Sequence, residues 1–243
     1  MGHDRALYAA FASIHGRCDD GPWLPQDEPP FVVKPPTGAV RAVLVGTKPR
    51  VISGWIFPEG LPPGVHWVGA WGPLSVAEVA AVRSLEAPVM FVGDLKPRDL
   101  ATYLSLRVGG LDRDGSEAPP LAVDWLGIDD PWLALCQREM VSKRAQRPTP
   151  AEGGQGPMGE FCFTENEGFS WIATEIEASP VEMEGLRVLE GAWVDWDATV
   201  GPRCMAMLRA GWTLHQEGAS NPAFYPEGFA AGLAAALRAR MPA

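Results

Sequence analysis

Residues 88–107, PVMFVGDLKPRDLATYLSLR, decide the fold. Val89, Met90, Phe91 and Val92 form an unbroken apolar run, the pattern of a strand covered on both faces as in a parallel sheet. Gly93 and Asp94 end that run. Pro97 stands where the first turn of a helix tolerates a missing N–H, and Leu100, Tyr103, Leu104 and Arg107 follow at helical spacing. The stretch therefore reads as strand, acidic turn, helix. Open α/β sheets bind ligands at the carboxyl ends of their strands, so the turn from Asp94 to Asp99 is where chemistry is expected.

Working outward, the same alternation repeats. VRAVLV (Val40–Val45), VISGWIF (Val51–Phe57) and VHWVGAW (Val65–Trp71) read as strands. Ser75, with Glu78 three residues on, makes a capping box for a helix through Glu86. After the central helix, Gly109–Pro120 is a turn-rich loop and LAVDWLG (Leu121–Gly127) a further strand. Asp129-Asp130-Pro131 then opens another helix containing Trp132, Leu133, Leu135, Cys136 and Met140. Strands alternating with helices imply a parallel sheet wound with crossovers, here an α/β domain over residues 40–144.

The flanks differ. Residues 1–39 are expected to form a short helix at 5–14 and an extended, Pro- and Asp-rich arm interrupted by Phe31–Val33. Residues 145–160 (AQRPTPAEGGQGPMGE) read as a linker. Residues 161–243 favour helices at Phe161–Glu177, Val181–Glu190, Pro202–Ala210 and Pro226–Met241, although FSWIATEIE (residues 169–177) also fits a strand.

With 243 residues the chain can bury a sizeable core, and 47% hydrophobic with 21% charged residues is ordinary for a globular protein. A formal net charge of -10 repels phosphate backbones unless a basic face is segregated. Arg138, Lys143, Arg144 and Arg147 are the one candidate nucleic-acid face; as the end of a helix they equally complement its dipole. Cys18, Cys136, Cys162 and Cys204 lack C-x-x-C spacing, which argues for reduced thiols over a zinc site or disulfides. His15 and Cys18 alone are too few ligands for a metal. No run approaches a membrane span and no leader pattern opens the chain, so no membrane partner and a cytoplasmic location are expected. Among the ten tryptophans, Trp67, Trp71 and Trp125 fit core positions, whereas Trp55, Trp193, Trp196 and Trp212 are candidates for an exposed partner surface.

The order VHWVGAW, helix, PVMFVGDLKPRDLATYLSLR, LAVDWLGIDD resembles a Toprim domain, in particular that of the A subunit of type IIB topoisomerases and of the nuclease subunit of SMC-like plasmid-defence systems. MLRAGWTLHQEGASNPAFY, centred on Gln216-Glu217, resembles the closing segment of the defence nucleases. The resemblance implies an α/β, Toprim-like parallel sheet flanked by helices, with a small helical C-terminal region. It also implies a divalent-metal site, in which carboxylates two residues apart at the strand end hold Mg²⁺ and an earlier glutamate acts as acid/base.

On that pattern Asp94 matches the first aspartate, but Lys96 stands in place of the second. The strand Val40–Val45 ends without a carboxylate, and Glu59 is the nearest replacement for the early glutamate. Candidate catalytic residues are thus Glu59, Asp94 and Glu217, with Asp94, Asp99 and Asp129 as candidate metal ligands; capping is the plainer role for Asp129, and helix-dipole stabilisation for Asp99. Lys96 is expected to pair with Asp94 where a cation would sit. The leading expectation is a catalytically degenerate, Toprim-like interaction or scaffold component of a DNA-processing or defence assembly. It would have no cofactor, a protein partner, and nucleic acid reached through that partner. The alternatives are an active Mg²⁺-dependent nuclease with substitute carboxylates and an acidic protein-binding module unrelated to nucleic acid.

Overall fold

The computed structural model of the protein describes residues 31–33, 38–47, 61–70, 72–110, 119–134, 175–192, 195–216 and 229–241. Five strands form the main sheet: β1 (Phe31–Val33), β2 (Ala42–Gly46), β3 (Val65–Ala70), β4 (Val89–Val92) and β5 (Val123–Trp125), in the order β1-β3-β2-β4-β5. The four strands from β2 to β5 are mutually parallel, and β1 adds antiparallel to β3 with Phe31 opposite Ala70. Every residue of β2 and β4 is buried, as expected for the two central strands of a parallel sheet.

The chain leaves β2 for β3 on one side, crosses back to β4 on the other, and continues outward to β5. The order therefore reverses between β2 and β4, where Gly46 is level with Val92. That reversal opens a crevice at the carboxyl ends of the two strands.

Helices make the crossovers from β3 to β4 and from β4 to β5. α1 (Val76–Arg83) starts with the full capping box: Ser75 Oγ accepts from the Glu78 amide at 3.3 Å and Glu78 Oε2 accepts from the Ser75 amide at 2.7 Å. It ends three residues short of the expected Glu86, which adopts a positive φ of 51°. α2 (Pro97–Val108) begins at Pro97 and stops at Gly109, whose φ of 96° suits a residue without a Cβ. α2 is buried over most of its circumference, including Thr102 and Ser105, and the C-terminal part of the chain packs on it as well as the sheet. Those hydroxyls are satisfied locally: Thr102 donates to the Arg98 carbonyl, and Ser105 donates to the Thr102 carbonyl while accepting from the Leu74 amide at 2.8 Å.

The C-terminal part comprises β6 (Glu175–Glu177), α3 (Pro180–Ala192), α4 (Trp196–Thr199), α5 (Pro202–Arg209), β7 (Trp212–Leu214) and α6 (Phe229–Arg240). α3 packs on α2, and Leu186, Leu189, Trp196, Val200, Cys204, Met205, Leu208 and Leu214 belong to the same buried cluster as the sheet strands. At its centre Phe91, Tyr103 and Trp125 are mutual neighbours and Trp196 packs on Tyr103, with Tyr103 edge-on to Trp125 at 5.4 Å. Burial raises the proton affinity of the Tyr103 phenol, whose hydroxyl donates to the Val123 carbonyl.

Several expectations are corrected. Phe31–Val33, placed in an extended arm, is an edge strand, because three residues of high β-propensity find an open side of β3. Trp196, placed on a partner surface, is 2% exposed and donates its indole N–H to the Leu189 carbonyl. Glu175–Glu177 is a strand paired with β7, the alternative that FSWIATEIE left open. The segments 5–14, 51–57 and 145–160, together with Trp55, Trp193, Cys18, Cys136 and Cys162, lie outside the described residues. Among those described, no helix is long and apolar enough to cross a membrane.

Candidate functional site

At the crevice, Thr47 follows β2 and Asp94 follows β4, while Lys96 and Asp99 come from the start of α2. Gly93 makes the approach possible. A Cβ there would lie 2.7 Å from the Phe91 ring and 3.0 Å from Asp99 Oδ2, closer than packed side chains allow.

Asp94 is 0% exposed and Asp99 is 1% exposed, so both carboxylates depend on partners in place of water. Lys96 Nζ lies 2.7 Å from Asp94 Oδ2 and 3.9 Å from Asp99 Oδ1, bridging the two acids. Asp99 Oδ2 accepts from Thr47 Oγ1 at 2.9 Å and from the Asp94 amide at 2.6 Å. An acid in the first helical turn thus locks β2, β4 and α2 together.

The remaining partners arrive from more than a hundred residues away. Leu95 and Leu214 exchange two backbone hydrogen bonds, N to O at 2.9 Å and 3.0 Å, which lays the end of β7 across the turn. That pairing brings the Gln216 amide to Asp94 Oδ1 at 3.0 Å and His215 Nδ1 to Asp94 Oδ2 at 3.4 Å. His215 Nε2 in turn faces Thr213 Oγ1 at 3.3 Å. Gln216 is fully buried, and its side-chain amide takes no hydrogen-bond partner among the described residues.

The structure therefore brings Asp94, Lys96 and Asp99 together and leaves Asp129 apart from them. Asp129 Oδ1 accepts from the Trp132 amide at 2.9 Å and caps the helical turn at 130–134. Burial raises the proton affinity of its carboxyl, the neighbouring Asp130 adds to this, and the Trp132 amide and Arg240 oppose it. Glu59, Glu217, Arg138, Lys143, Arg144 and Arg147 lie outside the described residues.

Sequence reasoning missed Thr47 and His215 as members of this cluster. Thr47 carried a usable signal, since it stands two residues beyond the expected strand Val40–Val45. His215 carried none, because only the β7 pairing with Leu95 places it. Of the Gln216-Glu217 dipeptide, Glu217 lies outside the described residues, while the backbone amide of Gln216 donates to Asp94.

Chemically, the cluster presents two desolvated carboxylates already occupied by an ammonium, a hydroxyl and two backbone amides. Among the described residues no group of three or more His, Cys, Asp or Glu side chains is arranged to hold a metal ion. Comparison with protein families, curated proteins and solved structures finds no match to the chain.

Proposed function

We propose that the chain is a Toprim-like module whose metal-dependent hydrolysis has been lost, serving as an interaction or scaffold component of a DNA-processing or defence assembly. One observation supports the reading above others. The Lys96 ammonium lies 2.7 Å from Asp94 Oδ2 and reaches toward Asp99, filling the position between two buried acids that a divalent cation would take. A hard cation wants several oxygen ligands of its own, and an ammonium in their midst repels it. The donor set does not suit Mg²⁺, and no hydrolytic step runs through these residues.

The order of strands adds support, since the cluster occupies the crevice where α/β sheets place their chemistry. The acidity of the chain fits contact with nucleic acid through a partner.

The test is thermal melting of the full chain with and without Mg²⁺ or Mn²⁺, beside Lys96→Asp, which restores two acids two residues apart. The wild type is expected to melt independently of either metal, while Lys96→Asp gains metal-dependent stabilisation. Stabilisation of the wild type by micromolar metal, together with plasmid cutting that Asp94→Ala abolishes, would instead establish the nuclease reading.

A further inference from the structure

A second concavity opens beyond the carboxyl end of β5 and shares no lining residue with the Asp94 cluster. It offers about 230 Å³ between the segment that follows β5 and one side of α6, from Gly232 to Arg240. Trp125, Trp132 and Leu233 give it an apolar lining, while Asp129 and Arg240 put one acid and one base on its wall. The volume lies below the roughly 300–1,000 Å³ of pockets for drug-sized ligands, so a single small molecule fits best.

Both charged groups have capacity to spare. Asp129 uses Oδ1 to cap the Trp132 amide, and its other oxygen takes no bond from another described residue. Arg240 donates Nε to Asp124 at 3.2 Å and Nη1 to the Ala236 carbonyl at 3.3 Å, which leaves Nη2 without a partner among the described residues. The two groups are near enough for Arg240 to lower the proton affinity of Asp129. Burial acts in the opposite sense and more strongly, as it does when a carboxylate has lost water without gaining a full set of donors.

We propose that this cleft binds a free α-amino acid with an aromatic side chain, its carboxylate on Arg240, its ammonium on Asp129 and its ring against Trp125 and Trp132. The assignment follows from the lining. Opposite charges on one small wall match a zwitterion, a guanidinium edge suits a carboxylate, and indole walls favour a flat ring. The site is separate from the Asp94 cluster and does not rest on the function proposed for it.

Calorimetric titration of the full chain with L-phenylalanine and L-tryptophan tests this, alongside phenethylamine, which lacks the carboxylate, and 3-phenylpropionate, which lacks the ammonium. Saturable binding of at least one amino acid is expected, with about tenfold or greater loss for each analogue, roughly the value of one charge-assisted contact. Arg240→Gln is expected to erase the preference over phenethylamine, and Asp129→Asn the preference over 3-phenylpropionate, with native circular dichroism in both. An asparagine oxygen can still cap Trp132, so the second variant keeps the local fold. Absence of binding at about 10 mM, where only contacts weaker than about 3 kcal/mol escape notice, overturns the proposal. So does an analogue that binds as well as its amino acid.

Discussion

Lys96 is the residue on which the crevice depends. Removing one partner of a buried pair costs about 3–5 kcal/mol, because the other charge stays desolvated. Lys96 keeps 14% exposure, so the lower end applies, and Lys96→Met is expected to lose about 3 kcal/mol in urea unfolding. Asp94→Asn on the same background should cost less than it does alone, by about 1–3 kcal/mol of coupling, since the charge it removes has already lost its counter-ion. Strict additivity would mean that the ion pair at 2.7 Å does not hold the turn. Asp129 gives the pH dependence. Burial raises its proton affinity above the ordinary aspartate value of 3.8, so the folded chain holds this proton more tightly than the unfolded one. The resulting stability is complete below the unfolded value and is lost as pH rises through the folded one. Asp129→Asn should therefore gain stability relative to the wild type as pH is raised from about 4 to about 7, the range over which an elevated aspartate titrates. Paired denaturation curves across that range check it.

At the level of elements, two short contacts join the strands to the helices around them. The first is the approach of α2 to β4 over Gly93. Gly93→Ala would press a methyl group against Phe91 and Asp99, and overpacking of this kind costs about 1–3 kcal/mol. The second joins the segment after β5 to α5. Asp130 accepts from the Arg203 amide at 3.1 Å and the Cys204 amide at 2.8 Å, capping a helix that begins seventy residues later in the chain. Gly201, at a φ of 98°, lets the backbone pass so close that a Cβ would collide with that carboxylate. Asp130→Ala is expected to lose about 1–2 kcal/mol, the usual worth of an N-cap. Asn is expected to recover much of the loss, because its oxygen can accept the same bonds; no recovery would mean that the charge matters more than the cap.

At the level of the whole molecule, sheet and C-terminal helices contribute to one buried cluster, so they are expected to unfold together. Cys204 reports on this. It is fully buried, and desolvation together with Asp130 pushes its proton affinity far up, leaving almost no reactive thiolate. Alkylation mapped to Cys204 by mass spectrometry should appear at the same urea concentration at which far-UV circular dichroism is lost. Labelling of Cys204 well before that point would show the C-terminal helices separating from the sheet first. The merging of the two parts also explains α2, whose sequence reads as an amphipathic helix with one apolar face. The polar positions Thr102 and Ser105 are interior as well, Ser105 against the Leu74 amide ahead of α1, while α3 packs on the same helix.

Much of the α/β layout was legible in the residues themselves. Val89–Val92 is apolar without interruption, Ser75 and Glu78 hold the capping spacing, and Pro97 marks where α2 begins, because these signals act within a few residues along the chain. The pairing of Asp94 with Lys96 was anticipated on the same ground, as the two stand two residues apart in one turn. What tertiary structure alone decided is which distant groups complete the crevice. Thr47 reaches Asp99 because β2 and β4 are neighbours, and His215 and Gln216 reach Asp94 because Leu214 pairs with Leu95. The physical reason is separation: a hydrogen bond across more than a hundred residues leaves no periodicity or composition behind it, and exists only once the chain has closed on itself.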